Sequence, residues 1–152
     1  MANLAHLEKL SLTNHATVVR LRDRLSVGWQ DWQDRRKELL VWRDAHPRRS
    51  LQLRAPIDIS LRTLSTDVEN FSTISIQVVS FTDGRIFSMG HSLRRRYRYD
   101  GVLIAVGDIL PQQLSLFQRC GFDRVELDLE FDPTAAPYAV LQGFQPHHVI
   151  QA

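Results

Sequence analysis

The runs TISIQVV (residues 73–79) and VLIAV (residues 102–106) decide how this chain folds. Both are short, nearly continuous apolar segments rich in β-branched residues, and each is bounded by polar or turn-forming positions. Such runs suit strands covered on both faces, the situation of a parallel sheet flanked by helices. The strand from Ile74 to Phe81 meets a tight loop, Thr82–Arg85, and then a helical pattern over Phe87–Tyr97. Val102–Val106 is followed in turn by a helix over Leu110–Cys120.

The same rhythm extends in both directions. Upstream, Leu51–Ala55 reads as a strand and Pro56–Asn70 as a turn with a short helix. Downstream, Arg124–Leu129 reads as a strand, Thr134–Leu141 as a helix and His147–Ile150 as a last strand. Strands separated by helices of one to three turns predict βα units, right-handed crossovers and a mainly parallel sheet. The expected fold class is α/β, a single domain of repeated βα units. The pattern leaves open whether the sheet stays flat or curls as a partial (β/α)-barrel.

A longer helix precedes these units, over about residues 28–44. Trp29, Trp32, Arg36, Leu39 and Leu40 share one side of it, and Asp31, Asp34, Arg35 and Glu38 take the wetter side. Pro47 ends it by lacking an amide donor and restricting His46. Residues 26–152 are therefore expected to form the α/β domain. Residues 1–25 stay open between strand and helix, with Leu4, Leu7 and Leu10 at helical spacing.

At 152 residues with 43% hydrophobic and 24% charged residues, the chain can form one ordinary core without a staple. The single Cys120 excludes an internal disulfide framework and points to a reducing compartment, the cytoplasm. The N-terminal stretch MANLAHLEKLSLTNH does not read as a signal peptide, and no window approaches the roughly 20 apolar residues of a membrane span. Of the 19 basic residues all but Lys9 and Lys37 are arginine, yet the formal net charge is only +2. Residues 1–50 carry +4 and residues 51–152 carry −2, which disfavours a nucleic-acid coat.

Ligands in such folds gather beyond the carboxyl ends of the strands. FTDGR (81–85) falls there, with Gly84 able to take a positive φ. Thr82, Gly84 and Arg85 are candidate ligand-binding residues: backbone N–H groups and a guanidinium fork make an anion cradle. The structural alternative has Asp83 capping the turn and Arg85 pairing with a neighbouring carboxylate. Asp108, at the next strand end, acts either as a base or as the N-cap of the following helix. Gln113 adds an amide donor to the same rim. Asp83 and Asp108 are the candidate catalytic residues. RRRYRY (94–99) offers either phosphate contacts with stacking rings or an ordinary solvated helix end. Cys120, before Gly121, reads as a packing cysteine at a helix C-cap. The histidines lack zinc spacing, and neither GxGxxG nor GxxxxGK[ST] occurs, so the cofactor stays unknown.

The stretch FTDGRIFSMGHSLRRRYRYDGVLIAVGDILPQQLSLFQRCGFDRVEL (81–127) resembles the DUF934 family, small bacterial proteins often labelled probable oxidoreductases and found beside sulfite- and sulfate-reduction genes. The likeness is carried by Phe81 to Arg85, Ser88, Leu93, Arg94, Arg96, Tyr97, Gly101, Gly107, Asp108, Gln113, Leu114 and the run Arg119–Asp123. It departs at Ile86, Ile104 and Pro111-Gln112, where the family carries glycine, arginine and an Arg-Asp pair. The resemblance implies a cytoplasmic protein linked to sulfur assimilation, holding a small oxyanion through Arg85, Arg94 and the Gly84 turn. Its alternative implication is a non-catalytic partner of a sulfite- or sulfate-reducing enzyme. The implied partners are thus a small anion, a reductase subunit or a second copy of the chain, with neither nucleic acid nor membrane.

Overall fold

Apolar runs and turn residues alternate along the chain, and the secondary structure follows them. The computed structural model describes residues 18–21 and 24–127. Its strands are β1 (Val18–Leu21), β2 (Arg24–Gly28), β3 (Ser50–Ala55), β4 (Thr73–Val78), β5 (Val102–Gly107) and β6 (Arg124–Leu127). The helices are α1 (Trp29–Ala45), α2 (Leu61–Leu64), α3 (Arg85–Arg95) and α4 (Leu114–Arg119), with 3-10 turns at Val68–Asn70 and Pro111–Gln113.

The sheet has six strands in the order β1-β2-β3-β4-β5-β6. β1 pairs antiparallel with β2, and every later pair is parallel. Sequential order with right-handed crossovers puts the connecting helices on one face, which is the winding of a β/α barrel. Among the described residues the barrel is not closed: the ladder runs from β1 at one edge to β6 at the other. An unclosed ladder of sequential βα units is consistent with the partial barrel-like arrangement.

Alternation fixes which side chains meet the helices. Leu51, Leu53 and Ala55 of β3 share a face with Ile74, Ile76 and Val78 of β4, with Leu103 and Ala105 of β5, and with Val125 of β6, and all are buried. Trp32, Leu39 and Trp42 of α1, Ile86, Met89 and Leu93 of α3, and Phe117 of α4 belong to the same core. The opposite faces of β4 and β5 are also partly covered, since Thr73, Ser75 and Ile104 are buried. That is the two-sided burial which the runs at 73–79 and 102–106 predict.

Several boundaries differ from the sequence reading for local reasons. β4 ends at Val78, not Phe81, because its partner β5 ends at Gly107. The helix expected over 87–97 starts at Arg85. The one expected over 110–120 opens as a 3-10 turn at Pro111, which has no amide to donate, and becomes α-helical at Leu114. In α1, Arg35 leaves helical geometry (φ −123, ψ 23), and beyond this kink Leu39 and Trp42 are buried while Leu40 packs partly buried against the core. Arg36, expected on the apolar side, is half exposed and pairs with Asp67 at 2.6 Å. Within the stretch 1–25 left open between strand and helix, residues 18–21 and 24–25 are strand, and the second of these strands runs on to Gly28. The helix over 134–141 and the strand over 147–150 lie outside the described residues.

Candidate functional site

The rim beyond β4 and β5 is built from one loop folded on itself and a second that holds it. In the first loop, the amide of Asp83 donates to the carbonyl of Ser80 at 3.0 Å, and the hydroxyls of Ser80 and Thr82 share a 2.8 Å hydrogen bond. The Asp83 carboxylate accepts the Arg85 amide at 3.2 Å, Arg85 Nε at 2.9 Å and Arg85 Nη2 at 2.6 Å. Arg85 thus caps its own turn through Asp83. The paired guanidinium holds the Asp83 carboxyl below the usual carboxylate range, and the carboxylate raises Arg85 in return. Of the two readings of FTDGR, the paired one is what the side chains adopt.

Gly84 does not use its conformational freedom: φ is −70°, and nothing lies within 4 Å of where a Cβ would be. The glycine that the rim requires is Gly107. Its φ is +132°, and a Cβ there would run into the Val78 carbonyl oxygen. This turn lets the Asp108 amide donate to the Val78 carbonyl at 3.0 Å.

Asp108 is not the N-cap of the helix that follows it; Leu110 occupies that position, its amide donating to Gln113 Oε1 at 3.1 Å. Asp108 Oδ2 instead accepts the amide of Phe81 at 3.1 Å, and Gln113 Nε2 donates to the carbonyl of Phe81 at 2.8 Å. Both backbone groups of Phe81 are therefore held from the β5 side. Asp108 and Gln113 come together on Phe81, and Asp83, Gly84, Arg85 and Thr82 occupy the same loop. The apolar side chains beside them stay bare: Val79 is 76% exposed and Phe81 41%.

Arg94 is not part of the rim. It is the penultimate residue of α3, about 14 Å along the helix from Arg85. Its Nε donates to the Gly121 carbonyl at 2.9 Å, its Nη1 to the Tyr99 and Gly101 carbonyls at 2.8 and 2.7 Å, and its Nη2 to Asp123 at 2.6 Å. Asp123 in turn accepts the Leu103 amide at 2.9 Å. Four of the five N–H donors of that fork are thus occupied by the fold. The reason is geometric: Gly121, with φ +98°, ends α4 in a motif where Phe122 donates to the Phe117 carbonyl and Gly121 to that of Gln118. Arg94 packs where a Cβ of residue 121 would stand.

Cys120, in that same motif, is partly buried, and burial raises its thiol pKa against the smaller effect of Arg119. That direction disfavours the thiolate, as for a packing cysteine at a helix C-cap. Among the described residues no three metal-ligating side chains gather, and no helix is long and apolar enough to cross a membrane.

Sequence reasoning missed an open groove of about 310 Å³ beside the rim, between the 57–61 segment and α3. Ile57, Ile59 and Met89 give it an apolar floor, Ser88 and Ser92 a hydroxyl edge, and Arg85 and Asp58 its charges. Its signal was weak, because Ser88 and Ser92 read as ordinary helix-surface residues. The bare Val79 and Phe81 were missed because apolar residues at a strand end look like more strand.

No curated protein and no solved structure matches the chain. A family model described as "Bacterial protein of unknown function (DUF934)" matches residues 53–148, a span that takes in β4, the rim and the Arg94 network. On that match, the chain belongs to the DUF934 family.

Proposed function

We propose that this chain is an accessory protein that binds a partner through the rim at residues 79–83 and 108–113. One observation carries the reading: the polar rim residues are committed to one another while Val79 and Phe81 are left bare. Asp108 and Gln113 fix the Phe81 backbone, so the ring is presented in one place before any partner arrives. Rigid exposed aromatics of this kind are the usual anchors of protein interfaces. The family resemblance supplies the partner class, a subunit of a sulfite- or sulfate-reducing enzyme. The test is binding of purified assimilatory sulfite reductase to the intact chain and to Phe81→Asp. Burying a phenylalanine contributes about 2 kcal/mol, so the variant is expected to bind at least tenfold more weakly. No binding by the unaltered chain, or equal binding by the variant, would defeat the reading.

A second reading, a small oxyanion bound at the rim, is supported by Arg85 lining the groove beside Ser88 and Ser92. The anion would displace Asp83 from the guanidinium and take the hydroxyls as further donors. Asp58, which lines the same groove, and Asp83, which pairs with Arg85, would then be the acid–base groups at hand, with Asp108 on the neighbouring rim. Sulfite, sulfate or phosphate at millimolar concentration should raise the melting temperature of the unaltered chain but not of Arg85→Ala. Absence of any shift counts against this reading.

A further inference from the structure

The far end of α3 carries a surface that the rim does not use. Arg95, Arg96 and Arg98 are exposed, and among the described residues none of the three is paired with a carboxylate. Cations at a helix C-terminus are ordinary, because the backbone dipole favours them. That does not account for Arg98. Its φ is +55°, which makes it the one non-glycine residue with positive φ among those described. A side chain in the left-handed region strains the backbone, and glycine or asparagine is the usual occupant after a helix.

The strain is held from both sides. The Tyr97 amide donates to the Ser92 carbonyl at 3.1 Å and the Tyr99 amide to that of Leu93 at 2.9 Å. Tyr99 is 4% exposed, its hydroxyl donates to the Phe71 carbonyl at 3.2 Å, and its own carbonyl accepts from Arg94. What the strained residue gives the surface is a third exposed guanidinium. Arg96 is oriented as well, lying 5.5 Å from the centre of the Tyr97 ring.

We infer that Arg95, Arg96 and Arg98 form a preoriented docking surface for a carboxylate-rich segment of a protein partner. Arginine forks suit carboxylates, and three of them within four positions match a short acidic stretch by charge complementarity. A nucleic acid fits less well. Beyond these three arginines a long polyanion would meet the rest of residues 51–152, whose formal charge is −5. The surface lies about 15 Å along α3 from the rim, so it stands apart from the reading proposed above.

The test is fluorescence anisotropy with a labelled peptide of alternating Glu and Ala, its Gln counterpart, and an oligothymidine strand. The full chain should bind the Glu peptide, weaken with salt, and ignore the Gln peptide. Arg98→Gly should melt at a higher temperature yet bind about threefold more weakly, a combination that a purely structural role would not give. Arg96→Lys should also weaken binding, because an ammonium cannot form the fork. Phe81→Asp should leave peptide binding unchanged, which separates this surface from the rim. Equal binding by Arg98→Gly, a lower melting temperature for it, or tighter binding of oligothymidine than of the Glu peptide would each overturn the inference.

Discussion

Asp108 accepts the backbone amide of Phe81, 27 positions earlier in the chain, at 3.1 Å. With Gln113 on the carbonyl of the same residue, this contact ties the loop after β4 to the loop after β5. The rim is therefore one unit built from two βα connections.

Asp108→Ala should free the Phe81 amide and lower stability by about 1 kcal/mol, the usual net worth of a hydrogen bond. Hydrogen exchange at that amide is the direct measurement, and protection should fall. Gln113→Ala should act on the same unit, so the double variant should lose less than the sum of the two. Unchanged protection in Asp108→Ala would contradict the geometry.

Arg94→Met should be far more damaging. The side chain of Arg94 is 11% exposed and that of Asp123 3%, so the variant takes the guanidinium away from a buried carboxylate and from three backbone carbonyls. Breaking such a pair from one side costs about 3–5 kcal/mol. Urea denaturation should read this directly; a loss below about 1 kcal/mol would show that the network contributes little.

The two rim glycines should separate cleanly. Gly107→Ala forces a side chain into positive φ and against the Val78 carbonyl, and it should destabilise by more than about 1 kcal/mol. Gly84→Ala meets open space at ordinary φ, and it should be neutral or stabilise by about 0.4–1 kcal/mol through the unfolded chain. Thermal melts of the two variants check both signs.

Tyr99 sets an alkaline limit. Burial pushes its phenol well above the ordinary value of 10, with Arg94 opposing the shift only in part. The folded state thus prefers the neutral ring. Its contribution is fully present below the unfolded pKa, near 10, and is lost as pH rises from there towards the folded pKa. Stability measured across this range should fall with pH, and the fall should be shallower in Tyr99→Phe. That variant should be weaker at neutral pH, because it lacks the hydroxyl bond to Phe71.

The sheet and its helices were legible because period and turn chemistry are local. Apolar runs at 73–79 and 102–106 needed no distant information, and a neighbouring carboxylate for Arg85 was one of the two readings left open, its identity being Asp83, two positions away. The role of Arg94 was not legible. In RRRYRY all four guanidiniums look alike, and what singles one out is a carboxylate 29 positions further on. Of the roles left open for Asp108, the N-cap is not the one adopted, and its partner amide, in another βα unit, was beyond local reading.

Each strand of this sheet pairs only with its predecessor and successor in the chain. No strand must wait for one made later to be inserted between it and a neighbour. A ribosome could therefore release the ladder in the order in which it is laid down, each new βα unit closing onto an edge already standing. Short sequence separations of this kind reduce the loop entropy paid before each contact forms, and they favour rapid, orderly assembly during synthesis.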